Sequence, residues 1–153
     1  MTDSGDARRA LDGHCLCGGV TLSLRESTGT FVLCHCSQCR KAAGAAFQAV
    51  IPATPAAVTI GDPYGLVREY RSSANKVRTF CTRCGSPLFS RRYDIATLRL
   101  RAGLFDDLGG RRPVAHIFAA AAATWDNITD ALPRHAALEP GRGQTAAPRE
   151  EDA

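Results

Sequence analysis

The seven cysteines of this 153-residue chain fall into three short clusters, and no cysteine lies outside them. The clusters are Cys15-Leu16-Cys17, Cys34-His35-Cys36-Ser37-Gln38-Cys39 and Cys81-Thr82-Arg83-Cys84. Random placement rarely gives such spacing, and an odd number of cysteines cannot pair completely into disulfides within one chain. Zn²⁺ prefers four tetrahedral ligands and binds thiolates at about 2.3 Å, so closely spaced cysteines can share one ion. The pattern therefore predicts that the cysteines bind zinc.

We predict two Zn²⁺ per chain, because a partition into four and three ligands uses every cysteine. The first and last clusters would form a closed structural site, with the ligands Cys15, Cys17, Cys81 and Cys84. The middle cluster would leave the fourth position of its ion open, with the ligands Cys34, Cys36 and Cys39. A closed site supports folding, whereas an open one supports catalysis or ligand exchange. Gly18 and Gly85 follow the outer clusters, where a turn can need positive φ.

Two alternatives remain for the cysteines. A histidine could close the middle site; His35 is poorly placed between two ligands, but three others stay open, His14, His116 and His135. We favour the open site, because no residue nearby in sequence obviously fills the fourth position. An iron–sulfur cluster usually takes four cysteines in runs unlike these.

The rest of the composition is that of one globular domain. Hydrophobic residues make up 44% of the chain and charged residues 22%, and no apolar run reaches the ~18 residues of a membrane helix. The polar N-terminus lacks the apolar core of a signal peptide, so we expect a cytoplasmic protein. Reducing surroundings there favour metal ligation over disulfides. We predict a domain over residues 13–138, with disordered tails at 1–12 and 139–153.

The charge of the chain argues against a nucleic-acid partner. The formal net charge is +4, but the basic residues are scattered rather than gathered into the dense stripe of a nucleic-acid-binding protein. Seven thiolates would subtract seven charges and two Zn²⁺ would restore four, which leaves about +1. Most of the formal positive charge therefore serves to balance the charge of the thiolates.

Short alternating segments separated by turn residues predict a mainly β domain. The segment Thr97-Leu98-Arg99-Leu100-Arg101 alternates most clearly between apolar and polar residues. We predict one helical turn over Ser37–Ala46 and strands over 20–24, 31–33, 47–51, 58–60, 67–71, 77–80, 87–93, 95–102 and 114–118. Pro52 and Pro55 are expected to separate two of these strands.

Several strings of residues occur in an order that resembles a known family. They are Gly13-His14-Cys15-Leu16-Cys17-Gly18-Gly19-Val20, Cys34-His35-Cys36-Ser37-Gln38-Cys39-Arg40-Lys41, Gly44-Ala45-Ala46-Phe47, Arg78-Thr79-Phe80-Cys81-Thr82-Arg83-Cys84-Gly85-Ser86-Pro87-Leu88 and Gly103-Leu104-Phe105-Asp106-Asp107. The chain resembles the glutathione-dependent formaldehyde-activating enzyme family, which also includes centromere protein V. The resemblance covers nearly the whole predicted domain.

The resemblance implies a β-tent, a fold of small antiparallel sheets clamped by zinc. It also implies the same partition of the cysteines, with the three-cysteine zinc as the catalytic metal. The activity it implies is that of a carbon–sulfur lyase, which acts on the adduct of glutathione and formaldehyde or on another small thiol. A binding module without catalysis, stabilised by its zinc ions, is the alternative.

Basic residues near the clusters are the candidates for binding an anionic thiol such as glutathione. Arg40 and Lys41 directly follow Cys39, and Arg78 precedes the last cluster by three residues. The alternative for each is a solvated surface charge. His116 lies in an apolar segment and is expected to be a core histidine, and Trp125 is expected to pack in the core.

Overall fold

The computed structural model describes residues 9–140 and contains one α-helix among short strands. The strands are β1 (Leu11–His14), β2 (Thr21–Leu24), β3 (Val32–Cys34), β4 (Gln48–Ala53), β5 (Val58–Gly61), β6 (Val67–Ser73), β7 (Lys76–Cys81), β8 (Pro87–Arg92), β9 (Leu98–Arg101) and β10 (Ala115–Ile117). The helix α1 covers Ser37–Ala43, and 3₁₀ turns cover Pro55–Ala57, Ala102–Leu104 and Ala119–Ala121. The prediction of a mainly β fold is confirmed.

The strands form two sheets. The smaller sheet has the order β1-β2-β5, and the larger has the order β10-β3-β4-β9-β8-β7-β6. Neighbouring strands are antiparallel, except that β10 runs parallel to β3. Because β3 lies between β10 and β4, its C-terminal residue Cys34 pairs with Ile117 on one side and with Gln48 on the other.

The two faces of the larger sheet bury different sets of side chains. Leu98 and Leu100 of β9 join an apolar core that includes Leu22 and Leu24 of the smaller sheet. The alternate residues of β9 face the other way, where Arg101 is the cross-strand partner of Val50. Val50 belongs to a second core cluster with the middle cysteines, Cys34, Cys36 and Cys39. Alternate side chains of β9 therefore face two different cores, one on each side of the larger sheet.

Two of the differences from the sequence-based boundaries have a clear physical cause. β1 starts at Leu11, inside the predicted tail, because Leu11 is 4% exposed and pairs with Leu24. Strand β4 continues through Pro52, which was expected to interrupt it. The Pro52 carbonyl accepts the Thr28 N–H, so the side of Pro52 that lacks an N–H faces away from β9. Residues 1–8 and 141–153 of the predicted tails lie outside the described residues.

Within residues 9–140, no helix is long and apolar enough to cross a membrane.

Candidate metal centres

Four cysteines from distant parts of the chain meet at one end of the larger sheet. Cys15 and Cys17 follow β1, Cys81 ends β7, and Cys84 lies in the turn before β8. Their sulfur atoms all lie within 4.8 Å of one another, with 3.5 Å between Cys15 and Cys17 and 3.8 Å between Cys17 and Cys81. A tetrahedral zinc with sulfur at about 2.3 Å requires sulfur–sulfur distances of ~3.8 Å. The donor set therefore fits Zn²⁺.

Two glycine turns bring these cysteines together. Gly18 has φ 77° and Gly85 has φ 78°, as expected from their positions after the cysteines. Their N–H groups donate to the carbonyls of Cys15 and Cys81 at 2.9 and 2.7 Å. A further hydrogen bond joins the turns, from the Leu16 N–H to Ser86 Oγ at 2.9 Å. The chain thus holds the two cysteine pairs close through its own backbone.

The three middle cysteines converge around the start of α1. Cys34 ends β3, Cys36 is the N-cap of the helix, and Cys39 lies in the first turn. The cap brings the sulfurs together, because the Cys39 N–H donates to Cys36 Sγ at 3.3 Å. All three sulfurs lie within 4.8 Å of one another and are almost fully buried. Within residues 9–140 no histidine, cysteine or carboxylate joins this group as a fourth ligand.

The three thiols differ in their proton affinity because they share one buried space. The Cys34 and Cys36 thiols can donate to Cys39 Sγ, and Lys76 and Arg78 lie nearby, which lowers the pKa of Cys39. Hydrogen bonding with Cys34 and Cys39, together with burial, raises the pKa of Cys36. Lys76 and Arg78 of β7 therefore place positive charge beside Cys39.

Basic side chains line the sheet beside the three-cysteine cluster. Arg78, Ser90 and Arg99 are direct cross-strand partners in β7, β8 and β9, so their side chains share one face. Lys76 and Arg101 lie two residues away from Arg78 and Arg99, on the same face. We refer to these five residues, Lys76, Arg78, Ser90, Arg99 and Arg101, as the basic row.

The basic row is buried, although most of its members are cationic. Lys76, Arg78 and Arg101 are 2%, 8% and 5% exposed, and Arg99 is half-buried. Burial, with a contribution from Arg99, lowers the pKa of Lys76 to about 7, and burial lowers the pKa of Arg101 to about 9. Lys76, Arg99 and Arg101 were not predicted as site residues, because charged residues that alternate in a strand usually face solvent.

Two buried histidines form a hydrogen-bonded chain next to the three cysteines. His35 Nε2 lies 2.7 Å from His116 Nδ1, and His116 Nε2 lies 2.9 Å from the Asp130 carboxylate. A carboxylate only accepts, so His116 carries its proton on Nε2 and His35 donates to His116 Nδ1. His116 is thus a hydrogen-bonded core histidine. None of the histidines considered as a fourth ligand lies in the three-sulfur group, whether His14, His116 or His135.

The three predicted substrate contacts lie at different distances from the cysteines. Arg78 points both terminal nitrogens at Cys39 Sγ, each 3.9 Å away, and donates to Gln48 Oε1 at 3.4 Å. Arg40 is half-buried and donates from Nε to the His35 carbonyl at 3.3 Å. Lys41 is exposed in the last turn of α1, and its side chain forms no hydrogen bond or ion pair with the described residues. Arg78 is thus in contact with the cluster, whereas Lys41 is a surface residue.

Comparison with known proteins supports the resemblance found in the sequence. The sequence model of a family described as "Glutathione-dependent formaldehyde-activating enzyme" matches residues 10–121, a segment that contains all seven cysteines. The crystal structure of a Rhodobacter sphaeroides protein aligns with a TM-score of 0.54 and 19% identity, over 67% of this chain and 92% of that chain. At that identity the likeness concerns the fold alone. No curated protein matches the chain. Because the family match covers most of its length, the chain belongs to the glutathione-dependent formaldehyde-activating enzyme family.

Proposed function

We propose that this protein is a zinc-dependent carbon–sulfur lyase that acts on the adduct of glutathione and formaldehyde, or on another small thiol. It would hold two Zn²⁺, one in each cysteine cluster. The observation that carries the proposal is the three-sulfur group, which no other ligand in residues 9–140 completes. A zinc ion held by three thiolates supplies, when bound, a fourth position at which a small thiol binds as its thiolate.

Residues of the chain prepare this site for an anionic thiol. Arg78 contacts Cys39 Sγ and holds positive charge beside the ligand sulfurs. The Cys39 N–H donates to Cys36 Sγ and fixes the spacing of the two ligands. The buried pair of His35 and His116 fixes the segment between Cys34 and Cys36. Together these contacts keep the three sulfurs converged and almost fully buried.

The reaction adds a thiol to an aldehyde. The glutathione sulfur forms a bond to the formaldehyde carbon, the carbonyl π bond breaks, and the thiol proton ends on the former carbonyl oxygen. The reverse reaction breaks the same carbon–sulfur bond, which makes the enzyme a lyase. No oxidant or reductant is consumed in either direction.

The test compares catalysed and spontaneous exchange. The zinc-loaded full chain is added to glutathione and ¹³C-formaldehyde, and exchange between free and adduct carbon is measured by NMR. We expect exchange faster than without protein, loss of the acceleration in Cys36→Ser, and no loss in Arg68→Gln, whose side chain is exposed on β6. Acceleration that persists in Cys36→Ser, or none in the wild type, would contradict the proposed activity.

A binding module without catalysis is the second candidate. It is favoured by the burial of the three middle cysteines, which are at most 3% exposed, because buried ligands suit a structural metal. The NMR experiment separates the two candidates, since a module would leave the exchange at its spontaneous rate. For either function we propose a cytoplasmic location, where the cysteines stay reduced, and no nucleic-acid partner.

A further inference from the structure

The basic row has buried polar atoms for which the described residues provide no hydrogen-bond partner. These atoms are Ser90 Oγ, Arg99 Nη2 and Arg101 Nε. Buried polar groups in folded proteins are almost always hydrogen-bonded, and an unpaired N–H in an apolar layer is unfavourable. Two guanidinium donors and one hydroxyl, on one face of adjacent strands, are the groups that bind a carboxylate.

The charge of the row exceeds what the cysteines require. Three thiolates and one Zn²⁺ have a formal charge of −1, whereas the guanidinium groups of Arg78, Arg99 and Arg101 alone carry three positive charges. Lys76, Arg99 and Arg101 form no ion pair with any carboxylate of residues 9–140. Buried cations are normally paired with anions. The excess of positive charge therefore matches an anionic ligand.

The row also lies within reach of a ligand at the three-cysteine site. Arg78 belongs to the row and places its terminal nitrogens 3.9 Å from Cys39 Sγ. Cys34 is the cross-strand partner of Gln48, which accepts from Arg78. The cysteines and the basic row thus adjoin on one face of the sheet. A ligand whose thiol and carboxylate are separated by only a few bonds can contact both.

We propose that the basic row binds a carboxylate of the substrate thiol, so that the site selects anionic thiols over neutral ones. This inference rests on the function proposed above, because it assumes that the thiol is bound at the three-cysteine site. Arg99, Arg101 and Ser90 are the carboxylate-binding residues, and Arg78 links them to the ligand sulfurs.

The experiment uses the zinc-loaded full chain and three probes in isothermal titration calorimetry. Glutathione has the thiol and both carboxylates, S-methylglutathione has the carboxylates without a free thiol, and glutathione diethyl ester has the thiol with both carboxylates blocked. We expect the ester to bind roughly 10- to 100-fold more weakly than glutathione, which is the usual effect of losing charge-assisted hydrogen bonds. Equal affinities of glutathione and its diethyl ester would overturn the proposal.

Two variants with a matched control locate the carboxylate. Arg99→Gln should lower the affinity for S-methylglutathione about 10-fold. Arg99→Lys should lower this affinity less, because the charge is retained. The control Arg68→Gln removes the same charge from an exposed position of β6 and should leave the affinity unchanged. If Arg99→Gln and Arg68→Gln bind S-methylglutathione equally well, the row is not the carboxylate site. Circular dichroism of each variant checks that it is folded.

The probes also separate failure of this inference from failure of the proposed function. If the ester changes the zinc-edge absorption spectrum but binds as tightly as glutathione, thiol binding at the zinc is supported and carboxylate binding by the basic row is contradicted. If S-methylglutathione binds in an Arg99-dependent manner while no thiol changes the zinc spectrum, carboxylate binding by the basic row is supported and the lyase function is contradicted.

Discussion

His35 Nε2 lies 2.7 Å from Nδ1 of His116, although the two residues are 81 positions apart in sequence. The contact joins the loop between the middle cysteines to β10, which pairs with β3 through His116 and Leu33. Both histidines are almost fully buried, with 0% and 2% of their surface exposed to solvent. The pair is thus a buried cross-link next to the three-cysteine site.

We predict that His116→Ala destabilises the protein by about 1–3 kcal/mol, because it leaves buried His35 Nε2 without its acceptor. The free energy of unfolding is measured by chemical denaturation of the zinc-loaded protein. His135→Ala is the control, since that side chain forms no hydrogen bond within residues 9–140. Equal stabilities of the two variants would mean that the buried pair contributes nothing.

The two metal sites are predicted to differ in their effect on folding. Cys81→Ser should unfold or aggregate the protein, because structural zinc binding contributes folding free energy. Cys81 connects the last cluster to Cys17, which lies 64 residues earlier in the chain. Cys36→Ser removes a ligand from a cluster formed within six residues, so the fold should persist with one site empty. Thermal unfolding followed by circular dichroism makes the comparison. Equal loss of stability would argue against the division into a structural and an exchangeable site.

Metal analysis tests the partition directly. Protein purified without chelator should contain about two zinc ions per chain, as the two donor sets indicate. Plasma mass spectrometry gives the ratio of metal to protein. A ratio near one, with three reactive thiols, would indicate that the middle site is labile, and iron in place of zinc would contradict both sites.

The turn at Gly85 is predicted to require glycine. Gly85 has φ 78°, where an alanine is disfavoured by roughly 1–2 kcal/mol. Gly103→Ala is the matched control, because an added Cβ there also meets nothing within 4 Å and its φ lies outside that positive region. Denaturation should show a loss for Gly85→Ala and a change within about 0.5 kcal/mol for Gly103→Ala. Similar losses in both variants would mean that the positive φ is not the cause.

The sequence predicted the features that depend on local spacing. The cysteines within each cluster are close in the chain, so the convergence of Cys34, Cys36 and Cys39 and the turns at Gly18 and Gly85 followed from short-range geometry. The joining of the first and last clusters followed instead from the four ligands that zinc requires. The segment Leu98–Arg101 was recognised as a strand because its alternation is a property of the segment itself.

The features that depend on packing were missed. β1 contains Gly13 and was not recognised; a Cβ there would lie 2.8 Å from the Leu104 carbonyl oxygen, so glycine is required by a distant segment. Trp125 was predicted to be in the core but is 72% exposed. Burial of Arg101 was not predicted from the alternation of its strand, and it occurs because the second core covers that face of the sheet. No local pattern indicates which segment will cover a strand.

We propose above all that a small thiol binds at the three-cysteine zinc. Zinc-edge X-ray absorption of the zinc-loaded protein, recorded with and without millimolar glutathione, tests it most directly. Seven protein sulfurs shared by two ions average about 3.5 per ion, and one added thiolate should raise that average to about 4. Zinc in the filtrate is measured in parallel, to detect removal of the metal by the thiol. An increase in sulfur ligands with zinc retained is the predicted result, whereas an unchanged spectrum with no zinc released would show a closed site and contradict the lyase function.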